Sequence, residues 1–329
     1  MKCIKVELKD IEKTRISLLN DGFINNNYKI LKEDNFAYIP VKSEIKGFKV
    51  YNKKLVKLDS KKSIKELLKK ELSKKELSIV NSSFDIIGSI GIIEIQNELL
   101  HKKFLIGNAL LSSNKQIKTV VRKLGAHEGE FRIQNYEFLS GVNTFETIHK
   151  ESGINIKIDI SKTYYSPRSS NERLRISKLI KNDESVLVMF SGIGIYCFIL
   201  SKFSKAKSIY GVEINPFAHS IAQENLKLNK IKNVELFCGD VKKVLPELNN
   251  KFDRIIMPLP KTSVEFLQLA INNLNTNGII HLYFFSSLKN SNDFINDICS
   301  EYNLKLLRLI KTGQSKPNEY RMCADIIRL

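Results

Sequence analysis

Residues 185–203 read SVLVMFSGIGIYCFILSKF. An apolar run stops at Ser191-Gly192-Ile193-Gly194, and an apolar helical pattern follows. The run is short enough for a fully buried strand, and the two glycines let the backbone turn sharply and approach a ligand. Nineteen residues past Gly194, the segment SIYGVEI (208–214) ends with Glu213. A carboxylate at the tip of a second strand can accept from both hydroxyls of a ribose. Asn215 and Pro216 follow as an N-cap and first-turn pair for a helix. The third apolar run, VELFCGD (234–240), delivers Asp240, placed to accept from an adenine amino group.

Around this centre, apolar runs alternate with helical patterns from residue 159 onward: SVLVMF, SIYGVEI, NVELFC, DRIIMPL, GIIHLYFF and LKLLRLIK. That rhythm predicts an α/β fold with a doubly wound, Rossmann-like parallel sheet. YRMCADIIRL follows LKLLRLIK with only a loop between them, so the sheet should end in an antiparallel hairpin. A dinucleotide fingerprint would need a third glycine where this chain has Cys197. A shorter Gly-x-Gly loop, one acid on strand two, another after strand three and an antiparallel end match S-adenosylmethionine (AdoMet) enzymes of class I better.

Upstream, two smaller α+β domains are expected, giving boundaries at 1–58, 59–158 and 159–329. In the first, CIKVEL and FAYIPV read as strands, and KDIEKTRISLLNDGF reads as a helix with Ile11, Ile16, Leu18 and Leu19 inward. In the second, SIKELLKKELSKKE (63–76) reads as one helix opened by a Ser63–Glu66 capping box. FDIIGSIGIIEIQ follows as a strand pair, then a helix from about Asn97 to Leu111, then QIKTVVRKL and GINIKIDI as further strands.

The chain has 329 residues and is 43% hydrophobic, enough to bury real cores and exclude global disorder. Its net charge of +18 is spread over all three segments and fits a polyanionic partner touching several domains. No apolar run is long enough to span a bilayer, and the charged N-terminus lacks the apolar core of a secretory signal; a cytoplasmic protein is expected. Five dispersed cysteines without a CxxC argue against a disulfide framework. The isolated histidines give no zinc spacing, so no metal is expected.

Two further stretches bear on chemistry. TYYSPRSSNERLRI (163–176) sets one carboxylate, Glu172, among Arg168, Arg173 and Arg175. Ser169 or Ser170 could cap a helix there, and Glu172 could serve as a base beside a nucleic acid. IIMPLPKTS (255–263) ends the fourth strand at Pro258 and Pro260, which donate no hydrogen bonds. That end is either a plain strand stop or a place where the Met257–Leu259 carbonyls accept from a base amino group.

Taken together, EFRIQNYEFLSG, TIHKESG, IDISKTYYSPRSSNERLRI, VMFSGIGIY, GVEINPFAHSIAQENLKLN and MPLPK resemble the archaeal and eukaryal tRNA (guanine-37-N1) methyltransferases along essentially the whole chain. The resemblance implies a class I AdoMet-dependent enzyme with Glu172 as general base and Arg132 at guanine O6. Tyr164 and Arg173 would shape the base pocket. It assigns Phe190, Ser191, Gly192, Gly194, Glu213, Ile214, Asp240, Val241 and Pro258 to AdoMet, and Arg168, Leu259, Pro260 and Lys261 to substrate. A monomer is implied, holding tRNA at its outer corner and anticodon loop. Two positions depart from the pattern: Pro258 stands where many relatives have Asn, and Val188 where many have Asp. The alternatives are a wyosine-pathway transferase, moving the aminocarboxypropyl group or methylating a wyosine precursor, and a non-catalytic tRNA-binding protein. The aminocarboxypropyl group of enzymes lacks the small N-terminal domain and the Ser-Pro-Arg form at 166–168, and the Glu172–Arg132 pair argues against a non-catalytic role.

Overall fold

The computed structural model describes residues 1–57 and 62–328. They divide into two compact units, Met1–Glu66 and Leu67–Leu329. In the first, β1 (Lys2–Glu7), β2 (Leu31–Glu33), β3 (Phe36–Pro40) and β4 (Val50–Asn52) form an antiparallel sheet ordered β2-β3-β1-β4. Helix α1 (Ile11–Asn20) packs on it through Ile11 and Leu18, two turns apart. Ile16 and Leu19, expected inside, are 48% and 45% exposed, because the small sheet covers only one narrow face of the helix.

The single helix expected over 63–76 is two. Helix α2 (Ile64–Leu68) carries the expected Ser63–Glu66 capping bonds. A second capping box then restarts the chain as α3 (Lys74–Ile79): Ser73 Oγ accepts from the Glu76 amide, and the Glu76 carboxylate accepts from the Ser73 amide. Within the second unit, β5 (Phe84–Ile87) and β6 (Ile90–Ile93) form the expected hairpin across Gly88, whose φ of +57° suits a two-residue turn. A 3-10 turn at Asn97–Lys102 leads into α4 (Lys103–Ser113). β7 (Thr119–Glu128) and β8 (Ile133–Gly141) complete a four-stranded sheet. β9 (Glu146–Glu151) and β10 (Ile154–Asp159) form a separate antiparallel pair.

Beyond them come α5 (Ser170–Ser177), β11 (Ser185–Met189), α6 (Ile195–Phe203), β12 (Ser208–Glu213), α7 (Pro216–Leu228), β13 (Val234–Cys238), α8 (Val241–Leu248), β14 (Phe252–Met257), α9 (Leu267–Asn272), β15 (Leu274–Ser286), α10 (Ser291–Glu301), β16 (Leu304–Lys316) and β17 (Glu319–Arg328). All seven strands join one sheet ordered β13-β12-β11-β14-β15-β17-β16. The first five are parallel, and β17 runs antiparallel to both neighbours, as the hairpin reading requires. Buried β11 residues pack on both faces: Val186 and Val188 towards α6 and α7, Leu187 and Met189 towards α8, α9 and α10. A strand covered on both sides reads as a continuous apolar run, which is what SVLVM is. Among the described residues, no helix is long and apolar enough to cross a membrane.

Candidate active site

The carboxyl ends of β11 to β14 open into a cavity of about 490 Å³, where open α/β sheets take ligands. Phe190, Gly192, Glu213, Ile214, Asp240, Val241, Pro258, Leu259 and Lys261 line it, with Asn215, Lys242 and Phe266. Glu213, at the last position of β12, is 9% exposed. It accepts from the Gly192 amide at 2.6 Å and the Asn215 amide at 2.8 Å. Burial raises its pKa, and the backbone amides of Asn215, Gly192 and Ile214 only partly offset that. Asn215 caps α7 as expected, accepting from Phe217 and Ala218. Asp240 caps α8 through the Lys242 amide at 2.9 Å. Phe190, held at φ +58°, meets Phe266 edge-on at 4.9 Å. A carboxylate has about four acceptor sites and backbone amides use no more than three on Glu213, so acceptor capacity remains on a cavity wall. Two acids and an apolar wall suit a purine ribonucleoside, and the volume suits a ligand of that size.

Gly194 is not on this wall. It takes φ +83° as the N-cap of α6, and a Cβ there would stand 2.4 Å from the Phe198 ring. Its glycine is required by the turn and by helix packing. Ser191 lines instead a second cavity of about 110 Å³, together with Arg132, Tyr164, Arg173, Pro260, Tyr196, Tyr283 and Arg321. Arg132, Tyr164, Phe190, Gly192 and Pro258 line both cavities, so the two adjoin. Arg132 arrives on the β7–β8 connection at φ +52°, its guanidinium 5.8 Å from the centre of the Tyr164 ring.

Helix α5 corrects several expectations. Ser169 holds the N-cap position, yet its hydroxyl makes no capping bond, because a 3-10 turn at Pro167–Ser169 runs straight into the helix. Arg168 lines neither cavity and makes a forked pair with Asp85 at 2.9–3.1 Å. Arg173 is buried and forms a bidentate pair with Glu151 at 2.7 and 2.6 Å, while Tyr165 donates to the same carboxylate at 2.6 Å. Glu172 is 7% exposed and lies on neither cavity wall. Of the surrounding arginines it pairs with Arg175, which donates to both carboxylate oxygens at 2.8 Å. Its link to the smaller cavity is Tyr283, whose hydroxyl donates to Oε1 at 2.5 Å.

Behind Glu172 a buried polar chain runs under the sheet. Arg175 also donates to Asp325 at 2.8 Å, and Asp325 lies 2.6 Å from His281 Nδ1. Arg254 reaches His281 Nε2 at 2.7 Å and pairs with Glu184. A guanidinium can only donate, so Nε2 accepts and His281 is neutral with its proton on Nδ1. Burial lowers the pKa of His281 in the same sense. Burial would raise Asp325, but His281 and Arg175 hold it well below the usual carboxylate range. His281, Cys323 and Asp325 present ligand atoms within 4.8 Å of one another. Two guanidinium ions already contact this group, which makes it an ion-pair network and a poor cation site.

The fourth-strand end is also tied up. Met257 O accepts from the Leu259 amide at 2.9 Å, and Leu259 O from the Ser263 amide at 3.0 Å. The carbonyls expected to read a base are thus engaged in the turn at both ends of the Met257–Leu259 stretch. Val188 is fully buried in β11. Glu151, Tyr196, Tyr283 and Asp325 escaped the sequence reading, because β9, α6, β15 and β17 supply them and only folding brings them together. For Tyr196, Tyr283 and Asp325 the one trace in the sequence is a polar or phenolic group inside otherwise apolar runs, as in HLYFF and CADII; Glu151, in ETIHKE, leaves none.

A seven-stranded sheet with β17 inserted antiparallel, a cavity at the parallel strand ends and acids closing β12 and following β13 defines the class I AdoMet-dependent methyltransferases. Residues 147–306 match the TRM5/TYW2 methyltransferase domain, 64–144 the TYW2 N-terminal domain and 3–49 the tRNA methyltransferase 5 N-terminal domain. The chain is 41% identical over 283 residues to the tRNA (guanine(37)-N(1))-methyltransferase Trm5b of Pyrococcus abyssi, covering 86% of this chain and 83% of that one. The crystal structure of that protein aligns over 100% of both chains with a TM-score of 0.74. A solved complex of aTrm5 and tRNALeu aligns over 100% of both chains, at 30% identity and a TM-score of 0.74. A tRNA(Phe) (4-demethylwyosine(37)-C(7)) aminocarboxypropyltransferase of Methanocaldococcus jannaschii is 39% identical over 155 residues, 47% of this chain and 61% of that one. The chain belongs to the tRNA (guanine(37)-N(1))-methyltransferase family.

Proposed function

We infer that the protein methylates N1 of guanine 37 in tRNA, beside the anticodon, with AdoMet as methyl donor. The observation that carries this reading is the pair of adjoining cavities. One has a volume and an acid pair that suit an adenine nucleoside, and the other is lined by Arg132, Tyr164 and the phenol that contacts Glu172. Glu213 would hold the ribose and Asp240 the adenine amino group, with Phe190, Ile214, Val241 and Pro258 around the nucleoside. AdoMet, when bound, supplies an electrophilic methyl group.

The remaining chemistry falls to side chains of this chain. N1 of neutral guanine carries a proton that must leave as the new bond forms, and a positioned carboxylate can take it. Glu172 is that base. Charge building on O6 is met by the Arg132 guanidinium. Tyr164, exposed on the cavity rim, offers a face on which the base stacks. The guanine leaves the anticodon-loop stack to enter the smaller cavity. Arg173, locked to Glu151, fixes the wall of that cavity; Pro258 and Pro260 line it too, and Leu259 and Lys261 line the adjoining larger one.

The chain works as a monomer with three domains, 1–58, 59–158 and 159–329. The first meets the outer corner of the tRNA, and the other two enclose the anticodon loop. The three family matches, which break between 49 and 64 and between 144 and 147, support that division. Incubation with unmodified tRNA and AdoMet, followed by mass analysis of the nucleosides, tests the reading. 1-Methylguanosine at position 37 is expected. An aminocarboxypropyl adduct, methylation confined to a wyosine precursor, or no product would overturn it.

A further inference from the structure

Glu172 has the chemistry of a base but lies on neither cavity wall. The group between it and the smaller cavity is Tyr283, on β15. Tyr283 lines that cavity, and its hydroxyl donates to Glu172 Oε1 at 2.5 Å. Tyr196, on α6, also lines the cavity and donates to the Tyr283 oxygen at 3.2 Å. This second bond occupies one lone pair of the Tyr283 oxygen and leaves its proton directed at Glu172. The Cys323 thiol, also beside this hydroxyl, donates to Asp325 instead, so one of the two acceptor sites of the phenol oxygen remains. Glu172 cannot easily swing out past Tyr283, because Arg175 grips both its oxygens and is itself anchored to Asp325.

We propose that Tyr283 is a catalytic proton relay, carrying the guanine N1 proton to Glu172. This rests on the methyl-transfer reading above. As the N1–CH3 bond forms from the electron pair of the N1–H bond, and the donor sulfur keeps the pair of its broken S–CH3 bond, two protons move. The N1 proton passes to the Tyr283 oxygen, and the Tyr283 hydroxyl proton passes to Glu172 Oε1. The phenol ends as it began, and Glu172 ends neutral. Moving both protons in one step avoids a free phenolate, which burial of Tyr283 among Tyr196, Glu172 and Cys323 disfavours. Arg175, Asp325, His281 and Arg254 lie beyond Glu172, and Arg173, which lines the same cavity, stands beside the Tyr196 ring.

Single-turnover methylation by Tyr283→Phe, Glu172→Gln and the double variant tests the relay. Phe keeps the ring and its packing. Each single variant should slow transfer by about 100-fold or more, a typical loss for general-base catalysis. The double variant should be no slower than the slower single one, because the two groups act as a unit. The AdoMet dissociation constant should stay within about twofold of wild type in all three, and the wild-type proton inventory in mixed H2O and D2O should curve as two protons in flight require. In the free protein, the downfield proton resonance of the short Tyr283–Glu172 bond should vanish in either single variant. Near-wild-type transfer by Tyr283→Phe with a slow Glu172→Gln would overturn the relay and keep Glu172 as a direct base. Near-wild-type rates in both would overturn the base assignment as well. Additive losses, or a slow Tyr283→Phe beside an unimpaired Glu172→Gln, would also overturn the relay.

Discussion

The two adjoining cavities were built in opposite ways. Apart from the β7–β8 connection and Tyr164, which it shares with the smaller, the larger takes its polar groups from strand ends and the turns directly after them: Gly192 after β11, Glu213 at the end of β12, Asp240 after β13. Each is placed by its own strand and helix cap. The smaller takes Arg132 from the β7–β8 connection, Tyr164 and Arg173 from around α5, Tyr196 from α6 and Tyr283 from β15. Its groups are held by long-range pairs such as Arg173–Glu151 and Glu172–Tyr283. The donor side can therefore tolerate changes elsewhere, whereas the acceptor side depends on the integrity of the whole unit.

The largest effect expected from that difference is on stability. Glu151→Ala strands the buried Arg173 without its carboxylate; side chains of this pair are each 4% exposed. Loss of one partner of a buried pair costs about 3–5 kcal/mol. The melting temperature should drop by about 2 °C for each kilocalorie, the scale for a unit of this size, and a change under about 1 kcal/mol would show that the acceptor cavity does not lean on this pair. Next is Glu213→Ala, which removes the proposed ribose acceptor. Calorimetry should find AdoMet binding weakened by about 100-fold, as for two lost hydrogen bonds to a charged group. Unchanged affinity would move the ribose elsewhere.

Acidification should separate the two sides. Burial raises the pKa of Glu213, so its ionised, ribose-accepting form is lost at a higher pH than for an ordinary glutamate. A raised carboxylate pKa does not remove fold stability as pH falls through that window. Asp325 is depressed, so its contribution to stability persists above the ordinary aspartate range and is lost only as pH falls through it. AdoMet affinity should therefore decline while the melting temperature still holds. Simultaneous loss of both would break the distinction. The smallest effect belongs to Arg168→Ala. Its side chain is 73% exposed, and such a pair with Asp85 contributes about 0–1 kcal/mol. A larger loss of stability would mean that Asp85 fixes α5 as firmly as Glu151 does.

The same contrast explains what could be read in the sequence. SVLVMFSGIG, GVEIN and FCGD announced the sheet, its ligand-facing glycine turn and both acids, because local turn and cap chemistry dictates them. The antiparallel end was legible from two strand patterns with no helix between them. The interior of the acceptor side was not. Glu172 looked like a member of an arginine cluster, yet in space only Arg175 holds it, and Arg168 and Arg173 turn to Asp85 and Glu151. Linear proximity in a helix cannot say which neighbour shares a face with a distant carboxylate. The helix over 63–76 broke for a local reason that the sequence does contain, the second Ser-x-x-Glu box at Ser73–Glu76.

The central claim is that Glu172 receives the proton that guanine N1 loses. Single-turnover methylation by Glu172→Gln, at saturating tRNA and AdoMet, tests it most directly. The account predicts a rate about 100- to 10,000-fold below wild type, with AdoMet affinity within about twofold. A single-turnover rate equal to that of the wild-type enzyme would contradict it.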